Sequence, residues 1–334
     1  MKKTAKKIAI LGTGAWGTAL ANVLISNQNS VAMWGIDDKE IESLKLQKNP
    51  KYFGKKKLCG ALSIVSKDIN EIVDFKPDFV IIAVPSLHIE NVLSKVVDKF
   101  ITKPVYINVA KGFNPKTLKT WSPTIKQLIK GKSSGLVTLI GPSFAEEVFK
   151  NKITIVNAVT DDSKVAAETE KIFNSKYFKC ISIDDFKGAE TISALKNVMA
   201  IGSGILYAQH NSINTRSCIL AQIAKEIFYI LKVMGGKLET LYQFCGIGDI
   251  YLTCTSKKSR NFSLGLMIGK KGYKKINKVV QANTVEGYWA TKVAYEIIQK
   301  YKIDAPIISH LYSILYENEN PKNFVNNVVK EIKA

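Results

Sequence analysis

Two arginines stand among 334 residues that carry 46 lysines. Lysine supplies nearly all the cationic charge, and the formal net charge is +20. A nucleic-acid surface of that charge would show interleaved aromatics or a recognisable motif. Here the lysines are spread along the whole chain, so no nucleic-acid partner is expected, although the charge still draws small anions. Histidine is scarce, at three residues, and the five cysteines (Cys59, Cys180, Cys218, Cys245, Cys254) form no CxxC pair. Such a set builds neither a zinc cluster nor a disulfide framework; no metal is expected, and a reducing cytoplasm fits. Long apolar runs are also missing, none reaching the ~20 residues of a membrane span. The four lysines within residues 2–7, ahead of "IAILGTGAWGTALANVLIS", imitate a signal peptide. Three glycines within six residues would make a poor apolar helix, however, and no membrane insertion is expected.

What is present is an ordinary globular composition, 46% hydrophobic and 23% charged, in a chain long enough for two cores. In the first half, short β-rich runs alternate with amphipathic segments. "KIAILG" (7–12), "VAMWG" (31–35), "DFVIIAVP" (78–85), "VYINVAKG" (105–112), "LVTLIGP" (136–142) and "ITIVNAV" (153–159) read as strands. They are continuously apolar, as a sheet covered on both faces requires. Helical patterns fill the intervals, and from about residue 188 onward only helical patterns remain. The expected fold is α/β, a doubly wound (Rossmann) parallel sheet over residues 1–188, followed by an all-α domain over residues 189–334.

The first strand runs directly into Gly12, Gly14 and Gly17, spaced G-x-G-x-x-G at the start of a helical pattern. Gly12 permits a tight turn, Gly14 lets the backbone approach a pyrophosphate, and Gly17 lets the helix pack on the strand. The phosphates would face the positive end of the helix. Asp37 lies 20 residues beyond Gly17, after the second strand. It either binds the ribose hydroxyls of NAD and repels the 2′-phosphate of NADP, or caps the next helix, as Asp38 also could. The lean is to NADH over NADPH, with Lys39 in reach of a phosphate.

A second stretch raises a different question. Between Glu190 and Arg216 the only formal charge is Lys196, set among Ile192, Leu195, Val198, Met199 and Ile201. Either its stem lies on apolar surface with its head in water, or it faces a pocket and handles a proton. The expected helix turns Leu195, Val198, Met199 and Gly202 into the core, with Lys196 beside that stripe.

Further motifs follow in order: Ala110-Lys111-Gly112 at a strand end, Gly141-Pro142-Ser143-Phe144-Ala145, "LKNVMAIGSG" (195–204), "NTR" (214–216), "GIGDIYLTCTSKKSRN" (246–261) and "VEGYWATK" (285–292). Together with "GTGAWGTALA", this set closely resembles the bacterial NAD(P)-dependent glycerol-3-phosphate dehydrogenases, from about residue 8 to 316. The resemblance implies interconversion of dihydroxyacetone phosphate and sn-glycerol 3-phosphate, supplying glycerol phosphate for phospholipid synthesis. It makes Lys196 the proton acceptor and donor, with Asp249 as its catalytic companion. Lys111, Gly141, Ser143, Lys196, Asp249, Ser259, Arg260 and Asn261 match substrate-binding positions. Ala15, Trp16, Lys111, Ala145, Arg260, Thr284 and Glu286 match contacts to NAD or NADP. A homodimer through the helical domain is implied by the same resemblance.

The chemistry of the residues agrees with these roles. A hydroxyl that loses a hydride from its carbon needs a base, and a lysine at its ordinary pKa of ~10.4 is a poor one at neutral pH. Desolvation by Leu195, Val198 and Met199, or repulsion from Lys111, would lower it, while Asp249 would limit the fall. In a lysine-rich chain an arginine suggests planar, bidentate binding of an oxyanion, so Ser259-Arg260-Asn261 reads as a phosphate clamp; a capped helix start is the plainer reading. Arg216 fits a structural ion pair as well as a ligand role. Ile36 departs from the family pattern, since many relatives carry His or Arg there; this weakens an NADP preference. Two other functions remain at this point. One is a dehydrogenase of the same build acting on a different hydroxy acid or acyl substrate; the other is a binder of nucleic acid or cofactor without chemistry.

Overall fold

The computed structural model describes residues 5–272 and 285–333. The chain divides into two compact units, residues up to 110 with 122–184, and residues 111–121 with 185 onward. The sequence places this break at 188/189, but the helix that opens the second unit already begins at Phe186, capped by Asp185. A short segment around Lys111 also belongs to the helical unit.

The strands are β1 (Lys7–Leu11), β2 (Ser30–Trp34), β3 (Ile64–Ser66), β4 (Phe79–Ile82), β5 (Val105–Asn108), β6 (Phe113–Asn114), β7 (Lys119–Thr120), β8 (Gly135–Ile140), β9 (Thr154–Val159) and β10 (Phe178–Ile183). Eight form one sheet in the order β10-β9-β8-β5-β4-β1-β2-β3. All four residues of β4, and Ile8 to Leu11 of β1, are wholly buried, which is why these strands show no polar alternation. From β3 across to β8 neighbouring strands are parallel. The expected all-parallel sheet is corrected at one edge: β9 pairs with β8 antiparallel, and β10 runs parallel to β9. The link from β8 to β9 holds only the five-residue helix Ala145–Phe149, which reverses the chain instead of carrying it across the sheet. β3 and β10 were not visible as apolar runs. β3 is three residues long, and β10 alternates buried and exposed positions at the sheet edge.

In the second unit the hairpin β6–β7 accompanies helices. Its axis is the helix Phe186–Gln209, buried without a break from Gly188 to Leu206. The expected stripe with Lys196 beside it is therefore corrected: this helix has no wet side, as befits one buried at the centre of a bundle. Its small residues allow that burial. A Cβ at Gly204 would overlap the Phe262 carbonyl, and one at Gly265 would overlap the Ile201 carbonyl, so the helices Phe186–Gln209 and Arg260–Lys271 cross backbone to backbone. Asp185 ties the helix start to its surroundings, accepting from Gly188 N (2.9 Å), Lys237 N (2.9 Å) and Thr240 Oγ1 (2.6 Å).

A second buried carboxylate, Glu226, sits inside the bundle on the helix Ile213–Met234. It accepts from the backbone N–H groups of Ile307 (2.9 Å) and Ile308 (3.3 Å), capping the helix Pro306–Tyr316 from outside. Burial raises its pKa from 4.5 to about 7 against the pull of those donors. Between pH 4.5 and 7 the folded state therefore holds a proton that the unfolded chain has released, and stability falls as pH rises through that window. Thermal unfolding should show this decline in the wild type. In Glu226→Gln the slope should flatten while the overall midpoint drops, because one backbone donor then faces an amide NH2.

Candidate active site

In the sheet-bearing unit, β1 ends in the glycine turn. Gly12 has φ +127°, and a Cβ there would lie 2.5 Å from the Ala83 carbonyl oxygen. Gly14 is different: its φ is −64°, and a Cβ would meet nothing within 4 Å. The helix Ala15–Ser26 starts there with no side-chain cap and no acid in its first turn, so its positive end is open to an anion. Ala15 and Trp16, two of the expected cofactor contacts, form this first turn, half-buried. A Cβ at Gly17 would lie 2.5 Å from the Gly12 carbonyl oxygen, so Gly17 serves packing.

Buried polar residues hold the turn from behind, and the motif alone does not name Glu40 and Asn49 among them. Thr13 Oγ1 donates to Glu40 Oε2 (2.5 Å), while Asn49 Nδ2 donates to the Thr13 carbonyl (2.9 Å) and to Thr18 Oγ1 (3.0 Å). Glu40 Oε1 also receives Lys51 Nζ (2.5 Å) and the Tyr52 hydroxyl (3.2 Å). The spacing Asp37-x-x-Glu40 was an available signal, since it reads as a capping box. Only half of that box forms. Asp37 caps the helix Asp38–Lys45, accepting at Oδ1 from Lys39 N (3.0 Å) and Glu40 N (3.2 Å). Its Oδ2 lies 3.6 Å from Lys51 Nζ, and these bonds, the Glu40 amide first, lower its pKa. Asp38 instead pairs with Lys67 (3.0 Å). Ile36 beside them is 73% exposed and offers no polar group.

The other expected positions of this unit have local partners. Gly141 packs where a Cβ would meet Val156 Cα at 2.8 Å. Ser143 Oγ donates to the Gly141 carbonyl (3.0 Å), and Ala145 opens the helix Ala145–Phe149.

In the helical unit Lys196 is 2% exposed, which rules out a head in water. Its ammonium is paired with Asp249 Oδ1 and donates to Thr253 Oγ1 (3.2 Å). Thr253 Oγ1 in turn donates to the Asp249 carbonyl (2.7 Å). Lys111 Nζ approaches Asp249 Oδ2 at 3.5 Å. Asp249 is wholly buried, and its Oδ2 accepts no hydrogen bond. It follows a π-helical turn, Phe244–Gly248, in which Gly246 takes φ −91° and ψ −114°. A Cβ on Gly246 would overlap the Leu241 carbonyl, so the turn needs glycine there. Thus two ammonium groups, the buried Lys196 and the partly exposed Lys111, converge on one carboxylate and leave an excess positive charge there. Burial lowers the Lys196 pKa from 10.5 to about 7; repulsion from Lys111 adds to the fall, and Asp249 opposes it.

Further along, Ser259 caps the helix Arg260–Lys271, its Oγ accepting from Phe262 N (3.3 Å). Asn261 is buried and doubly engaged: Nδ2 donates to Asn197 Oδ1 (3.0 Å), and Oδ1 accepts from Gly287 N (3.0 Å). These bonds link the residue after Lys196 to the start of the helix Glu286–Tyr301, which Glu286 opens. Asn197 and Thr253 were missed as named residues although both sit inside the quoted motifs. Arg260 is exposed and has no ion-pair partner among the described residues. Thr284 lies outside the described residues.

The helical unit thus holds a buried lysine paired with a carboxylate, and the sheet-bearing unit holds an open-ended glycine turn. Residues 7–166 match the family described as NAD-dependent glycerol-3-phosphate dehydrogenase N-terminus, and residues 185–326 match its C-terminus. The chain is 42% identical to the glycerol-3-phosphate dehydrogenase [NAD(P)+] of Malacoplasma penetrans, over 95% of this chain and 94% of that one. It is 39% identical to the enzyme of the same name from Mycoplasma mobile, over 97% and 96% of the two chains. The crystal structure of a glycerol-3-phosphate dehydrogenase from Coxiella burnetii superposes with a TM-score of 0.89, at 27% identity, covering 98% of this chain and 99% of that one. The chain belongs to the NAD(P)-dependent glycerol-3-phosphate dehydrogenase family.

Proposed function

We propose that this chain interconverts dihydroxyacetone phosphate and sn-glycerol 3-phosphate, with Lys196 moving the hydroxyl proton. The observation that carries the reading is a lysine sealed from water and clamped to Asp249, and burial there lowers its pKa. A neutral amine there can take the C2 hydroxyl proton as the hydride leaves that carbon; the C–H pair departs, and the O–H electrons close the carbonyl. In the reverse direction the ammonium gives its proton to the ketone oxygen as the hydride arrives. The excess positive charge from Lys111 opposes protonation of Lys196 and favours an anionic substrate. Asp249 holds the Lys196 side chain and prevents its pKa from falling further. Its Oδ2 faces the Lys111 ammonium at 3.5 Å. Arg260, exposed and with no ion pair among the described residues, supplies the fork that a phosphate monoester needs, with Ser259 and Asn261 setting the turn.

The residues also fit a dinucleotide. The open space at Gly14 and the uncapped helix start leave room and positive potential for a pyrophosphate. Once bound, NAD(P) supplies the acceptor or donor of the hydride. The lean to NADH rests on Asp37 with Ile36, and Lys51 tempers it by standing 3.6 Å from the Asp37 carboxylate. No helix among the described residues is long and apolar enough to cross a membrane. On the resemblance we add a cytoplasmic setting, a homodimer through the helical domain, and a role in supplying glycerol phosphate to phospholipids.

Lys196→Met should lose at least ~10²-fold in kcat with the fold intact, measured as NADH absorbance with dihydroxyacetone phosphate. Near-normal turnover would remove Lys196 from the chemistry. In the wild type, kcat/KM for glycerol phosphate oxidation should rise with pH as Lys196 loses its proton, and that for ketone reduction should fall. Lys111→Gln removes a like charge, so both inflections should move to higher pH; substrate ionisation alone would not move. Gly14→Ala should keep its unfolding midpoint yet raise the KM for NADH at least ~10-fold, whereas Gly12→Ala should lower the midpoint, since alanine is strained at φ +127°.

A further inference from the structure

Arg216 remains without a task. It is the only arginine besides Arg260, and it stands at the end of the first turn of the helix Ile213–Met234, where its N–H bonds to the Ser212 carbonyl (3.2 Å). A cation there opposes the helix dipole, and the first turn holds no acid to offset it. The side chain is half-buried, its Nε is sealed from solvent with no hydrogen-bond acceptor, and it has no ion pair among the described residues. The undescribed residues 1–4, 273–284 and 334 include no Asp or Glu. What Arg216 touches is the ring of Tyr207, with Cζ 5.6 Å from its centroid. Lys257 Nζ stands 5.4 Å from the same centroid, and it too has no carboxylate partner among the described residues. Phe262 locks the ring edge-on, centroids 5.5 Å apart.

Arg216 and Tyr207, but not Lys257, border a small cavity of about 20 Å³, whose wall joins Ser203, Cys254 and Thr255 to the apolar residues Leu206, Ile219, Leu220 and Phe262. That volume takes one water-sized atom. Two cations meet on one ring beside this cavity, and no carboxylate among the described residues pairs with either. A guanidinium donor left unmet inside a protein is costly unless a partner arrives.

We infer that this cavity is a second oxyanion site, taking one oxygen of a phosphate-class anion on Arg216 while the rest of the anion lies at the rim beside exposed Lys257. It is separate in residues from the Ser259–Asn261 turn. The occupant is inorganic phosphate, because the proposed reaction places the substrate's single phosphoryl group on Arg260.

The test is inorganic phosphate titrated into wild type, Arg216→Gln, Lys257→Gln and Arg260→Gln, followed by 31P line width and by the unfolding midpoint against chloride at equal ionic strength. It needs no turnover, so it stands or falls apart from the proposed reaction. Phosphate binding should survive in Arg260→Gln, weaken at least ~10-fold in Arg216→Gln and weaken less in Lys257→Gln, an exposed position that keeps the test usable if the arginine variant fails to fold. Unchanged phosphate binding in the Arg216 and Lys257 variants would overturn the inference and leave Arg216 as packing on Tyr207, even if the midpoint without phosphate fell. Loss of all binding in Arg260→Gln would overturn it too, by assigning the phosphate to the other arginine. Kinetics then give a second check: a raised KM for dihydroxyacetone phosphate in Arg216→Gln would overturn the assignment to the free anion. An unchanged KM, with phosphate's effect on the rate abolished, identifies the free anion.

Discussion

The ion pair between Lys196 and Asp249 is the constraint around which the helical unit is arranged. Taking an ammonium and a carboxylate out of water costs several kcal/mol per ion, and their attraction offsets this only in good geometry. The bundle supplies that geometry. A helix buried on every side carries the lysine, and the glycines at 204 and 265 let its neighbour close over it. The irregular turn before Asp249 aims the carboxylate, with Thr253 bonded to both members of the pair. A hydrophobic pair of the same volume would pack as well or better. Burial lowers the pKa of the lysine, so in the proposed reaction the charge is kept because such a lysine can act as a base where one in water is a poor one.

The glycine turn follows the same division between fold and chemistry. Gly12 and Gly17 are demanded by their neighbours, whereas nothing in the protein occupies the space beside Gly14. Behind them, Glu40 and Asn49 are buried polar groups whose bonds are spent on Thr13 and Thr18, within and just past the turn. A backbone loop that must present N–H groups to an anion has few contacts of its own, so its shape is enforced from the rear.

How much of this was legible in the sequence depended on whether the cause was local. The central strands announced themselves because burial on both faces leaves no polar residue in them. β10 did not, because an edge strand alternates, and the reversal of β9 lies in a link too short to cross the sheet. Lys196 was legible as an anomaly, one charge in an apolar stretch, but its burial on all sides was not, since close helix crossings depend on glycines in a distant segment. Asp37 and Ser259 each allowed a cap or a ligand role, and both form the cap, which leaves the ligand roles as proposals. Pairing is the least legible property. Lys111, Lys196 and Asp249 come from three separate segments, and only the fold puts them within 3.5 Å contacts of one carboxylate.

The two arginines show what placement adds to composition. With 46 lysines available, charge alone gives no reason to use arginine, and a lysine ammonium keeps its own shell of water more readily than a guanidinium does. Both arginines stand in first turns of helices, where the backbone already presents positive potential and a further cation is unfavourable. Neither has a carboxylate partner among the described residues to relieve it. A cation placed against the dipole, in the one side chain whose planar fork matches two oxygens, makes physical sense where an oxyanion is present in the working state. The cost in the empty protein and the affinity in the filled one then have the same origin, the unneutralised field of a helix start with an arginine in it.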